Sequence, residues 1–101
     1  MIKVNIKKDL ITISGHANYD EYGKDIVCAA VSSTVITTIN GILSIDDSAI
    51  MVESDEAVTI KILKHSDVVD KLLNNMINLL AELKSDYKDN IDIRRCADDE
   101  V

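Results

Sequence analysis

One cysteine and one histidine lie at the two ends of a single polar segment of this sequence. The segment SGHANYDEYGKDIVCAAVSS runs from Ser14 to Ser33 and contains His16 and Cys28, twelve positions apart. A thiolate is a strong nucleophile, and a nearby imidazole can serve as its general base or as its imidazolium partner. The pair is therefore the first candidate for covalent chemistry in this chain.

The residues around Cys28 predict that it lies in the first turn of a helix. With Asp25 as the N-cap, Cys28 is the third helical residue, close to free backbone N–H groups and to the positive end of the helix dipole, which stabilise a thiolate. Gly15 and Gly23 bracket the preceding loop and would allow it to move as a lid. The candidate substrate loop comprises Gly15, Ala17, Asn18, Tyr19, Tyr22 and Gly23.

A structural role is the alternative for each of these residues. Free cysteine is among the most buried residue types, and Cys-His patterns do not transfer between protein families. Cys96 lacks a positioned base and is expected to be incidental, and His65 is expected to be a loop residue. The chain has no Cys-x-x-Cys or His-x-x-x-His spacing, so we predict neither a metal nor a cofactor.

Length, net charge and aromatic content indicate the number of domains and the kind of partner to expect. The 101 residues predict one domain over 1–101 with a modest core. The net charge of −7 and the aromatic content of 3% argue against nucleic-acid binding, which uses basic surfaces and aromatic stacking. An acidic surface favours a basic partner instead. No targeting leader and no uninterrupted apolar run of membrane-spanning length is evident, so we expect a cytoplasmic protein with free thiols and no membrane contact.

Alternating apolar residues predict two β-hairpins and a final strand. IKVNI and ITIS, joined by the charged KKD, predict a hairpin over residues 2–14. SAIMVES and AVTIKILK flank the polar SDE and predict a second hairpin. IDIR, from Ile91, predicts a last strand before an acidic tail, about 97–101, that we expect to be frayed.

Two longer segments predict helices. Between Asp25 and Asp46 the many β-branched residues favour a strand, but some twenty residues without a turn signal are too many for one strand in a small domain. A helical stripe also recurs there at three- and four-residue steps: Val27, Val31, Val35, Ile39 and Ile42. Ser66 or Asp67 then caps a second, amphipathic helix. The predicted fold class is α+β, in the order ββαββαβ, with a mainly antiparallel sheet packed against two helices.

The first predicted helix is apolar on two faces. Ile26, Ala29, Ile36 and Leu43 lie on the side opposite the Val27 stripe. One face can cover the sheet, so the other requires the second helix or another subunit.

The motif around the cysteine resembles that of a known family. GHA, a polar loop and then YGKDIVCAAVS are similar to the signature of the ribosomal-processing cysteine protease family Prp, whose members pair GHA with G-x-DIVCA at this separation. The similarity extends to chain length, acidity, the opening strand and the order of elements. Ala30 departs from the glycine that relatives often carry, and both residues are small.

The resemblance implies a function and assigns roles to residues. Cys28 would be the nucleophile and His16 its partner, whereas Asp25 could be a helix cap, a histidine orienter or both. It also implies homodimers formed through helices. The implied task is removal of a short N-terminal extension from a large-subunit ribosomal protein, a basic substrate that suits the acidic surface. A non-catalytic ribosome-assembly factor, or another thiol enzyme such as an acyl transferase, is the alternative.

Overall fold

The computed structural model describes residues 1–21 and 24–96, which form five strands and two helices. Their order is the predicted ββαββαβ. Tyr22 and Gly23 of the candidate substrate loop, and the tail 97–101, lie outside the described residues. The elements are β1 (Ile2–Ile6), β2 (Leu10–Ser14), α1 (Ile26–Ile45), β3 (Ile50–Ser54), β4 (Val58–Ile62), α2 (Asp67–Asp86) and β5 (Ile91–Arg95).

The five strands form one sheet in the order β3-β4-β2-β1-β5. Both hairpins are antiparallel, and β2 also pairs antiparallel with β4. β5 pairs parallel with β1, at one edge. The predicted mainly antiparallel sheet is confirmed, and the single parallel pair makes it a mixed sheet.

The strand register places the apolar residues of neighbouring strands on one face. Ile13 pairs with Val4 on one side and with Val58 on the other, and Ile11 pairs with Ile60. Because side chains alternate along a strand, this register aligns the buried residues of the central strands. These residues and the buried stripes of both helices form one apolar core. The molecule therefore has two layers, a sheet and a pair of helices.

α1 is a helix despite its β-branched residues. Its buried residues are those predicted from the sequence, Val27, Val31, Val35, Ile39 and Ile42. The hydroxyl groups of two internal threonines donate to carbonyl oxygens one turn earlier, at 2.8 and 2.9 Å, so they are satisfied within the helix. By length and apolar composition alone, α1 is long enough and apolar enough to cross a membrane. From the sequence we expected no such segment, because no uninterrupted apolar run of that length is present. In this fold its buried stripe packs in the core.

α2 begins at Ser66, one of the two predicted caps. The Ser66 hydroxyl oxygen accepts a hydrogen bond from the Val69 N–H at 3.2 Å. The helix packs against α1 and contributes an apolar stripe to the core. Of the second apolar face predicted for α1, Leu43 packs against the core, whereas Ile26 and Ile36 are each 56% exposed.

Candidate active site

Asp25 caps α1, and its carboxylate joins the helix to the preceding loop. One oxygen, Oδ1, accepts hydrogen bonds from the N–H groups of Val27 and Cys28, both at 3.0 Å. The other oxygen, Oδ2, accepts from the N–H groups of Tyr19 at 2.9 Å and Asp20 at 3.4 Å. Desolvation raises the pKa of Asp25, but the hydrogen bonds from these four groups outweigh it and hold the pKa below its ordinary value.

These bonds define the role of Asp25, which the sequence left open. Within residues 1–21 and 24–96, both oxygens are engaged by backbone N–H groups, and no hydrogen bond joins Asp25 to His16. Asp25 is thus a helix cap and a loop anchor in this structure, and the geometry does not support a role in orienting the histidine.

Cys28 lies at the predicted position, the third residue of α1, and is half-buried. The expectation of free N–H groups in the first turn is wrong for Val27 and Cys28, because Asp25 accepts both of their hydrogens. The hydrogen bond to the Cys28 thiol comes instead from a backbone N–H group of the loop between β2 and α1. The N–H group of Ala17 donates to the Cys28 sulfur atom, Sγ, at 3.3 Å. A hydrogen bond of this kind stabilises negative charge on sulfur more than it stabilises the neutral thiol.

The loop after β2 has a constrained backbone. Gly15 has φ of +85°, and a Cβ at this position would collide with the carbonyl oxygen of Met1. Asn18 has φ of +56°, a left-handed conformation that asparagine tolerates better than most residues. The Ala17 side chain between them is 1% exposed and belongs to the core. Gly15 therefore serves a close backbone approach here, whereas the sequence suggested a hinge.

The connection between α2 and β5 holds the same loop from the other side. The Asn90 side-chain amide, Nδ2, donates to the carbonyl oxygen of Ala17 at 2.9 Å. The Tyr87 ring meets the Tyr19 ring edge-on, with the centroids 5.3 Å apart. Ala17 thus accepts a bond from Asn90 and donates one to Cys28.

His16 and Cys28 line the same groove, which has a volume of about 700 Å³. His16 is exposed and follows directly after Gly15, and the described residues contain no hydrogen bond between it and Cys28. The groove is acidic. Asp20, Asp25 and Glu56 line it, and among the described residues no lysine or arginine does.

The second histidine and the second cysteine lie elsewhere. His65 is in the loop before α2, as expected, where its ring nitrogens approach Asp9 at 2.6 Å and Asp70 at 2.8 Å. Cys96 is exposed after β5. Both line a separate groove of about 550 Å³ at the opposite ends of the central strands. In the part of the chain that the structure describes, no group of three or more His, Cys, Asp or Glu side chains could hold a metal ion.

Two residues at this site were not found by sequence reasoning. Asn90 is 73 positions from Ala17, and no local pattern connects them. Glu56 lies in the turn between β3 and β4, and it reaches the groove because β4 pairs with β2. Neither position carries a sequence signal for the site, since both depend on the order of strands in the sheet.

Comparison with known proteins identifies the family. Residues 1–92 match the family model described as cysteine protease Prp. The ribosomal processing cysteine protease Prp of Mycoplasma pneumoniae is 31% identical over 85 residues, which are 84% of this chain and 82% of that protein. The protein of the same name from Mycoplasma genitalium is 51% identical over a shorter stretch of 35 residues, 35% of each chain.

A solved structure agrees with the sequence matches. The crystal structure of the ribosomal processing protease Prp from S. aureus, in complex with a covalently linked product peptide, superposes with a TM-score of 0.90. The two chains are 25% identical, and the match covers 95% of this chain and all of the other. Family model, relatives and fold agree over most of the molecule, and the chain belongs to the Prp family of cysteine proteases.

Proposed function

We propose that this protein removes a short N-terminal extension from a large-subunit ribosomal protein, with Cys28 as nucleophile and His16 as general acid and base. The observation that carries the proposal is that Cys28 and His16 line one groove, with the Cys28 sulfur held by the Ala17 N–H at the start of α1. A similar protease from S. aureus has been crystallised with a covalently linked product peptide.

The proposed reaction proceeds through an acyl-enzyme. His16 accepts the thiol proton, and the Cys28 sulfur attacks the peptide carbonyl carbon, whose oxygen becomes an oxyanion. When the oxyanion collapses, the C–N bond breaks and His16 donates the proton to the departing amine. A thioester remains on Cys28. His16 then takes a proton from water, and the resulting hydroxide attacks the thioester carbonyl carbon. The C–S bond breaks, the Cys28 thiolate leaves and recovers the proton from His16, and the carboxylic acid product loses its own proton to solvent.

The charge of the groove supports a basic substrate. The carboxylates of Asp20 and Glu56 line it without a lysine or arginine in the described part of the chain. Ribosomal proteins are basic as a class, so a segment of such a protein would enter a groove of complementary charge. This substrate would place the enzyme in the cytoplasm, which cell fractionation would test.

We also propose that the protein is a homodimer. Ile26 and Ile36 share one side of α1 and are each 56% exposed, and Leu79 on α2 is 40% exposed. Large apolar side chains exposed on one side of a helix are typical of an interface, because isolated subunits seldom leave contiguous surfaces of this kind in water. We propose that a second copy of the chain packs against these exposed residues and buries them.

A cleavage assay tests the catalytic proposal. The substrate is a peptide that carries the N-terminal extension, single-turnover cleavage is followed by mass spectrometry, and binding is measured by fluorescence anisotropy. We expect Cys28→Ala to abolish cleavage with binding largely intact, and His16→Ala to slow it by about 10² to 10⁴. Cys96→Ser is the control and should cleave normally.

Each other outcome has a definite meaning. A wild-type protein that binds but never cuts the peptide would favour the non-catalytic assembly factor. A Cys28→Ala protein that still cuts would mean that the nucleophile is wrongly assigned. Formation of a thioester that passes to an added amine or thiol, with no hydrolysis, would indicate an acyl transferase.

A further inference from the structure

Asn90 connects the C-terminal part of the chain to the candidate active site. Its side-chain amide donates to the Ala17 carbonyl oxygen at 2.9 Å, across 73 positions of sequence. The N–H group of the same Ala17 donates to the Cys28 sulfur at 3.3 Å. Asn90 thus lies two hydrogen bonds from the sulfur without touching it.

The backbone of Asn90 is itself held firmly. Its N–H group donates to the Tyr87 carbonyl oxygen at 2.9 Å, and its carbonyl oxygen accepts from the Ile2 N–H at 2.8 Å. The first bond closes the turn after α2, and the second fastens that turn to the start of β1. The side-chain amide therefore projects from a backbone held by two hydrogen bonds toward the Ala17 carbonyl oxygen.

The usual role of asparagine in a turn does not explain the hydrogen bond made by the Asn90 side chain. Asparagine in a turn commonly hydrogen-bonds to its own nearby backbone. Here the main chain closes the turn, and the side-chain amide is directed to Ala17. Ala17 also directly follows His16 in the chain. A residue that holds Ala17 therefore constrains the backbone next to His16 as well as the hydrogen bond to the Cys28 sulfur.

We propose that Asn90 is a positioning residue for the Cys28 thiolate, because it holds Ala17 with its N–H group directed at the sulfur. The inference rests on the proposed role of Cys28 as nucleophile. It assigns a part in the chemistry to the α2–β5 connection, which supplies no atom to the reaction. The backbone conformation of the loop around His16 would depend on the same hydrogen bond.

The test measures how the reactivity of Cys28 depends on pH. In a Cys96→Ser background, which leaves one thiol, we would follow alkylation by iodoacetamide from about pH 5 to about pH 9. We expect Asn90→Ala to move the reactivity profile upward by ~0.5 to 1 pH unit, which lowers the rate near pH 6 by roughly three- to tenfold. Asn90→Asp keeps the side-chain shape but loses the donor, and it should move the profile in the same direction.

Two comparisons separate positioning from other effects. Ser66→Ala removes the cap of α2, far from the sulfur, and should lower stability without moving the profile. An unchanged profile in Asn90→Ala would overturn the proposal, and so would an equal shift in Ser66→Ala. A shift in Asn90→Asp alone would reflect only its added charge and would also overturn it.

The alkylation assay is independent of proteolysis. If the wild-type protein fails to cleave the ribosomal peptide but Asn90→Ala still shifts the profile, the positioning role stands and the proposed substrate is wrong. If the protein cleaves and the profile does not move, the protease function stands and Asn90 is only a turn residue.

Discussion

Asp25 joins the start of α1 to the preceding loop through a single carboxylate. Four backbone N–H groups, two from the helix and two from the loop, converge on its carboxylate. Because two N–H groups of the first turn are thereby used, the thiol depends on the loop for its hydrogen bond. An acidic cap therefore makes the position of Ala17 important for Cys28.

Of the three carboxylates that line the groove, Glu56 accepts the fewest hydrogen bonds from the described residues. Asp25 is engaged by four N–H groups, and Asp20 accepts from the Glu21 N–H at 2.7 Å. Within the described residues Glu56 forms no ion pair or side-chain hydrogen bond. It is exposed and free to pair with a cationic side chain of a substrate.

We expect Glu56→Gln to reduce selectivity for basic peptides. The wild-type protein should cleave a peptide with lysine near the cleaved bond about two- to fivefold better than one with glutamine there, as an exposed ion pair allows. Glu56→Gln should bring the ratio close to unity. The measurement is kcat/KM for the two peptides at low salt, since salt screens such pairs.

Glu53 provides a matched control on the same hairpin. It pairs with Lys61 at 3.0 Å and does not line the groove. Glu53→Gln should leave the lysine preference unchanged. Equal loss of preference in both variants would assign the effect to overall charge and contradict a specific role for Glu56.

At the scale of elements, Gly15 determines how β2 leads into the site. Its φ of +85° and the nearby Met1 carbonyl oxygen leave no room for a Cβ. We expect Gly15→Ala to destabilise the fold by ~1–3 kcal/mol and to reduce cleavage, because His16 follows directly. Thermal unfolding and the cleavage assay measure the two effects.

Gly41 in α1 is the corresponding control. A Cβ there would meet nothing within 4 Å, and alanine is the better helix former by roughly 0.5–1 kcal/mol. Gly41→Ala should therefore stabilise the protein and leave cleavage unchanged. If Gly15→Ala were as stable as wild type, the loop would not depend on this close approach.

His65 joins the β1–β2 turn to α2 through Asp9 and Asp70. Hydrogen bonds to Asp9 and then to Asp70 raise the pKa of His65 above its ordinary value. Its contribution to stability is thus fully present below the unfolded-state pKa, about 6.5, and is lost as the pH rises through the higher folded-state pKa.

We expect the stability difference between wild type and His65→Gln to depend on pH. Wild type should be the more stable by ~0.2–1 kcal/mol near pH 6, because the group is partly exposed, and the margin should shrink at alkaline pH. Urea unfolding across this range measures it. Other acids, such as Asp25 and Asp46, titrate in both proteins and cancel in the difference. A margin that grew with pH would contradict the assignment.

At the scale of the whole molecule, the proposed homodimer would form through the exposed side of α1 that carries Ile26 and Ile36. We expect light scattering at micromolar concentration to give about twice the mass of one 11.2 kDa chain. Ile36→Glu should give the single-chain mass, because it places a charge in the apolar face. Met51→Glu is the control, since Met51 is exposed on the edge strand β3, away from the helices. A wild-type monomer would contradict the homodimer.

Local pattern was sufficient for the elements of this fold. The five-residue stripe of α1, both hairpins and the order ββαββαβ follow from apolar periodicity, and the structure agrees with each. Periodicity outweighed β-propensity in α1 because the stripe faces a core, and burial contributes more than backbone preference. The position of Cys28 in the first turn follows from the cap at Asp25, which is also local in sequence.

The environment of the site was decided by the tertiary structure. Sequence placed His16 and Cys28 at the ends of a loop, but the donor to the sulfur, the anchor at Asn90 and the carboxylate of Glu56 depend on which strands are neighbours. Parallel pairing of β5 with β1 brings Asn90 beside Ala17, and pairing of β4 with β2 brings Glu56 to the groove. Periodicity records which face of an element is buried but not which element covers it, so contacts between distant segments arise only when the sheet is assembled.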